Sequence, residues 1–211
     1  MFCNMEQSPA DNEFLKLVKL LSSQYGAVIV TPHWNDIYNG EVSAKQQNFA
    51  KQILDSGAVA IAGTHPHVLQ KWSSTLRPGK VVLYSTGNLV SSQSESENSW
   101  KERCPQLTAQ YAEAGAMTRG LTSKECKESL SSTAIFYLGI KVPRARKPRS
   151  NPATATCLSY VETRWESNSN REGMFLRDSD PNSTALKIYG PDHRVTISEQ
   201  SFKEAVHCTP V

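Results

Sequence analysis

Three observations predict an α/β fold. Residues Ala27-Val28-Ile29-Val30-Thr31 and Ala58-Val59-Ala60-Ile61-Ala62 are short apolar runs rich in β-branched residues, the pattern of strands buried on both faces. A stretch of helical periodicity lies between them, and strand, helix, strand in that order predicts a parallel crossover. Each run is followed closely by histidine: His33 after the first, His65 and His67 after the second. Sites in α/β sheets form just beyond the carboxyl ends of the strands, so the pattern predicts three imidazoles at one sheet edge.

The remaining elements follow in chain order. Phe14, Leu15, Leu17, Val18, Leu20 and Leu21 recur at three- and four-residue steps, which predicts an amphipathic helix over 11–25 with Gly26 as its stop. A second helix is expected to start at Ser43, with Gln46 completing a capping box, Gly57 ending it, and Phe49, Ala50, Ile53 and Leu54 as its apolar face. Residues 80–85 predict a third strand that ends in the turn Gly87-Asn88. Beyond it, 91–98 is a Ser/Glu-rich surface loop, and 100–131 holds helix-prone pieces at 106–116 and 123–130 interrupted by Gly115 and Gly120. The whole of 91–131 reads as a polar loop and helical insertion. Two long β-rich runs at 133–142 and 154–166, with shorter candidates at 185–189 and 194–198, are expected to extend the sheet or form a second one. No internal repeat is evident.

Composition sets outer bounds. A chain of 211 residues with 38% hydrophobic and 20% charged residues is globular and long enough for one ordinary core. No run approaches the roughly 18 apolar residues of a membrane-spanning helix. The first residues, Met1-Phe2-Cys3-Asn4-Met5-Glu6-Gln7, lack both a basic start and an apolar stretch, so no signal peptide is expected and the default location is cytoplasmic. A net charge of +3 gives no expectation of nucleic acid. The one basic cluster, Lys141-Val142-Pro143-Arg144-Ala145-Arg146-Lys147-Pro148-Arg149, reads as a solvated loop between strands or as a contact for an anionic polymer or phosphate. Base-stacking aromatics are not interleaved with it. The five cysteines show no Cys-x-x-Cys spacing; Cys104 and Cys126 would clip the segment between them in an oxidising compartment, and all five would be buried thiols in a reducing one.

Imidazole carries a neutral nitrogen donor near pH 7, which suits zinc and other transition metals better than magnesium. His33, His65 and His67 are therefore candidate metal ligands, and Pro66 holds the last two in a preset relation by fixing one backbone angle. The rival reading of His33 is a hydrogen-bonded, half-buried side chain. Asn88 and Trp34 are candidate substrate contacts at strand exits. Their alternatives are a turn residue for Asn88 and a core ring for Trp34.

Four ordered stretches make residues 12–93 similar to the carboxyl-terminal part of the capsule-synthesis CapA and poly-γ-glutamate-synthesis PgsA family, a branch of the calcineurin-like metallophosphoesterases. They are His33-Trp34 after a strand; the helix from Gln46 to Leu54 with Asp55-Ser56-Gly57-Ala58; Gly63-Thr64-His65-Pro66-His67-Val68; and Tyr84-Ser85-Thr86-Gly87-Asn88-Leu89-Val90. The resemblance implies a layered αββα sandwich. It also implies a divalent metal (Zn, Mn or Fe) in a dinuclear phosphoesterase-like site in which His33, His65 and His67 are the late ligands. Family members are often membrane-anchored and extracellular, and the implied partners are an anionic polymer or phosphoester substrate, and either the missing amino-terminal half or a membrane-bound synthesis complex. Two departures stand out. The family continues His-Trp-Gly-x-Glu-Tyr where this chain has His33-Trp34-Asn35-Asp36-Ile37-Tyr38. About thirty residues precede His33, too few for the family's early Asp and Asn motifs, so residues 10–211 are expected to form such a domain without its amino-terminal half. Two functions follow as expectations: a metal-dependent hydrolase-like protein of anionic polymer synthesis, with or without metal retained in this chain, or a truncated pseudoenzyme or binding module. No catalytic residue is assigned.

Overall fold

Helix α1 (Pro9–Gln24) and helix α2 (Ala44–Asp55) form one layer over a four-stranded sheet. The structure, a computed structural model, describes residues 9–35, 37–88, 104–105, 122–143, 153–168, 171–176 and 209–211. The expected loop at 91–98, the helical piece at 106–116, the candidate strands at 185–189 and 194–198, and the basic residues 144–149 lie outside them.

The first sheet has the order β1-β2-β4-β3, from β1 (Ile29–Val30), β2 (Ala60–Ala62), β3 (Leu69–Ser73) and β4 (Val81–Thr86). The pairs β1–β2 and β2–β4 are parallel, as the crossover predicts, and β3 runs antiparallel to β4. A second, antiparallel sheet joins β5 (Ser132–Lys141), β6 (Thr154–Asn168) and β7 (Arg171–Leu176), with β8 (Thr209–Pro210) also on β6.

Strand β4 shows how these layers are held. Side chains alternate across a strand. Accordingly Val82 and Tyr84 join the helix-side core with Val18, Trp34, Phe49, Ile53 and Ile61. Val81 and Leu83 face the other way, onto Ala155 and Leu158 of β6. Leu69 of β3 likewise meets Ala134 and Tyr160 of the second sheet. The described residues thus form an α/β sandwich of helices, first sheet and second sheet, three of the four layers expected of αββα.

Helix α2 begins as the sequence predicts. The Ser43 hydroxyl accepts from the Gln46 amide, and the Gln46 side chain accepts from the Ser43 amide. Gly57, with φ 112°, turns the chain after it. At this end the Arg77 guanidinium forks onto Asp55, holding that carboxyl below its usual range, and the Lys80 amine donates to the Leu54 carbonyl. A third helix, α3 (Ser123–Ser131), starts with a second capping box, Thr122 with Glu125. It carries Cys126, which is disulfide-bonded to Cys104 with Cα atoms 5.8 Å apart. Cys157 is disulfide-bonded as well.

Candidate functional site

The parallel ladder between β1 and β2 continues past both strands. Thr64 donates its amide to the Pro32 carbonyl, Trp34 donates to the Thr64 carbonyl, and His33 sits opposite Thr64 in a parallel bridge. This register brings His33 alongside the residue that precedes His65. The ring centroids of His33 and His65 are 4.2 Å apart, and those of His65 and His67 are 5.7 Å apart. All three histidines are half-buried.

Backbone geometry makes this approach possible at a cost. His65 has φ 94° and His67 φ 60°, both in the left-handed region that side chains with a Cβ avoid. Pro66 between them restricts His65 further, because a residue before proline is driven out of the helical region. Tyr38, with φ 55°, completes the strained group; its amide donates to the Pro66 carbonyl and its ring lies 5.8 Å from that of His67. Conformations of this kind persist only where the surroundings enforce them, and they concentrate at functional sites.

The surroundings do enforce them. Gln70, fully buried, donates its amide to the Asn39 and Glu41 carbonyls and accepts from the equally buried Gln46, which is itself held by the α2 capping box. The loop between Trp34 and α2 is thereby tied to β3, three residues after His67. Replacing Gln70 by leucine strands these carbonyls and the Gln46 amide; the expected cost is about 2 kcal/mol, read as a fall of about 4–8 °C in Tm. An unchanged Tm would show that the loop does not depend on it.

Two residues expected at the strand exits occupy different environments. Trp34 is fully buried, donating its indole N–H to the Tyr84 carbonyl at 2.7 Å in the helix-side core. This corrects the expectation of a ring that contacts substrate: the apolar face of the indole is covered by α2 and β2. Asn88 is also buried, at 7% exposure, with its side chain directed at His67 and at α3. Gly87 before it has φ 76° and bridges to Thr133, so the turn expected at Gly87-Asn88 is where the first sheet meets the second. A Cβ on Gly87 would stand 2.3 Å from the Ser132 carbonyl.

Among the described residues no three His, Cys, Asp or Glu side chains stand in metal-holding positions; Asp36 lies outside them. The three imidazoles fit a transition-metal ion in kind, but their spacing as it stands does not. Zinc–nitrogen bonds of about 2.0–2.1 Å put two imidazole centres about 5 Å apart around a tetrahedral ion. The observed 4.2 and 5.7 Å straddle that value, so ligation requires His33 and His65 to part by about an ångström and turn. All of this lies at the carboxyl ends of parallel strands in an α/β sandwich, where a ligand site of the class is expected.

Residues 4–93 match the family model described as Bacterial capsule synthesis protein PGA_cap, so this segment is similar to the CapA-like capsule synthesis proteins. The same region is 35% identical over 86 residues to the PGA biosynthesis protein CapA of Bacillus subtilis (strain 168), covering 40% of this chain and 22% of that protein. It is 41% identical over 66 residues to the Capsule biosynthesis protein CapA of Bacillus anthracis, covering 31% of this chain and 16% of that one. The chain therefore spans about a fifth of the length of these relatives. The matched segment contains α1 to β4 with all three histidines; the second sheet, which covers the opposite face of β4, lies outside it.

Proposed function

We propose that the chain carries a three-histidine metal site of a CapA-like protein and serves the synthesis of an anionic capsule polymer through phosphoesterase-like chemistry. The observation that supports this most is the set of three imidazoles drawn together from the ends of two parallel strands, two of them on left-handed backbone. A packing role needs no such strain, whereas a preset ligand cluster does. A divalent ion held there would lower the pKa of bound water and neutralise charge on a phosphoryl oxygen. His33, His65 and His67 would hold it, and three protein ligands would leave a tetrahedral ion its fourth position for water or substrate. Trp34 ties the exit of β1 to β4, and Gln70 ties the loop before α2 to β3.

The test is a zinc or cobalt titration of the metal-free chain. Cobalt bound by nitrogen ligands is expected to give a visible ligand-field spectrum. Replacing His65 or His67 by alanine should each weaken binding more than tenfold, because three neutral donors leave none to spare. Binding that is unchanged in both variants would place the metal elsewhere and end the reading. Of the two functions expected from sequence, the likeness to capsule biosynthesis proteins supports the first.

A further inference from the structure

The hydrogen bonds of Asn88 decide the tautomer of a neutral His67 ring. The side-chain nitrogen of Asn88 lies 3.0 Å from the His67 carbonyl and 2.8 Å from the Leu130 carbonyl. Carbonyl oxygens only accept, so this atom must be the NH2 group; the reversed amide would set an oxygen against two oxygens. The amide oxygen then faces Nδ1 of His67 at 2.8 Å. An oxygen without hydrogen attracts Nδ1 only if Nδ1 carries the proton, since a bare Nδ1 would meet it lone pair to lone pair. The neutral ring consequently bears its lone pair on Nε2.

We propose that Asn88 is a positioning residue: anchored to two backbone carbonyls, it locks His67 as the Nδ1–H tautomer and so presents the Nε2 lone pair for a metal cation. Its use for metal rests on the function proposed above; the tautomer does not. One of the anchors gives the arrangement its rigidity. Leu130 lies in the last turn of α3, where carbonyls have no partner within the helix, and Asn88 supplies a donor. Helix α3 is tied down in turn by the Cys104–Cys126 disulfide, and Cys104, Cys126 and Leu130 share a core cluster with Tyr38 and Val68, the neighbours of His67 in space and sequence. A ligand histidine whose other nitrogen is held by an oriented acceptor is a recurrent device for aiming the metal-binding lone pair. The amide of Asn88 takes the place that a carboxylate or carbonyl holds elsewhere.

The same logic touches His33 more weakly. The Thr64 hydroxyl donates to the Pro32 carbonyl, which leaves its oxygen to face Nδ1 of His33, but at 3.5 Å. That is the outer limit of a hydrogen bond.

The deciding measurement is a long-range proton–nitrogen correlation spectrum of the metal-free chain at about pH 8, where an ordinary imidazole is neutral. The expected result is a protonated Nδ1 and a bare Nε2 for His67. In Asn88→Leu this preference should disappear and zinc affinity, measured by competition with a chromophoric chelator, should fall at least tenfold. Asn88→Asp keeps an acceptor opposite Nδ1 but sets its second oxygen against the His67 and Leu130 carbonyls, so the Nδ1–H tautomer is expected to persist while Tm falls. A proton on Nε2 in the unaltered chain, or an Nδ1–H population untouched by Asn88→Leu, would overturn the proposal. Should the leucine variant fail to fold for want of a donor to Leu130, the spectrum of the unaltered chain decides by itself. Failure of the unaltered chain to bind zinc would sink the metal function while the spectrum still judges Asn88.

Discussion

Gly63→Ala is expected to be among the most damaging single changes in the chain. A Cβ at this position would lie 2.1 Å from the Trp34 indole nitrogen and 2.2 Å from the Tyr84 carbonyl, that is, on the line of the buried hydrogen bond that joins them. Either the indole or strand β4 must withdraw. Overpacking of this kind costs about 1–3 kcal/mol, and stranding a buried N–H and carbonyl adds about 1–3 kcal/mol. A loss of about 4 kcal/mol is a large share of the 5–15 kcal/mol by which domains are stable, and should appear as a fall of about 8–16 °C in Tm. Because the clash is partly with the indole, Trp34→Phe in the same chain should recover some of the loss, so that the double variant is more stable than the two single effects added. A Tm within a degree or two of the unaltered chain would mean that β2 and Trp34 can separate without consequence.

Breaking the Cys104–Cys126 bond is the second change with a large expected effect. The bridge spans 22 residues of sequence, and closing a loop of that size restricts the unfolded chain enough to stabilise the folded one by about 3 kcal/mol. Cys126 is fully buried beside Leu130, so Cys126→Ser also places a hydroxyl in an apolar cluster. Because Cys157 is disulfide-bonded as well, the bridge is isolated by Cys126→Ser without reductant, which should melt about 6–12 °C below the unaltered chain. Coincident melts would show that α3 is held by packing alone.

Most of the first sheet was legible because its information is local. The apolar runs around Ile61 and Val82 are the buried strands expected, and Ser43 with Gln46 announces a helix start by chemistry that needs no partner; the run around Ile29 instead forms the end strand of the sheet, with Ile29 52% exposed, so burial on both faces fails there. Strand β3 was missed because its sequence, Leu69 to Ser73, mixes polar and apolar residues without alternation. Gln70 looks solvated there, and only its distant partners Gln46, Asn39 and Glu41 make it a core residue. Strand β7 was hidden in the same way within a polar stretch. At the site, the nearness of His33 to His65 followed from strand order. The burial of Trp34 did not, although Gly63 carried a trace of it: a glycine at the end of a buried strand signals something pressed close against the backbone. The bond from Asn88 to His67 could not be seen, since a Gly-Asn pair reads as a turn whatever its side chain does.

The left-handed backbone at His65 and His67 has an evolutionary reading. Glycine or asparagine would sit at either position with less strain, so a lineage selected for stability alone would tend to replace both histidines. Stability and chemistry pull in opposite directions at these two codons. Among sequences descended from a common ancestor with this one, those that have lost the use of the cluster should therefore be recognisable by relaxed residues at these positions before any change reaches Gly63 or Trp34, which the core needs in either case.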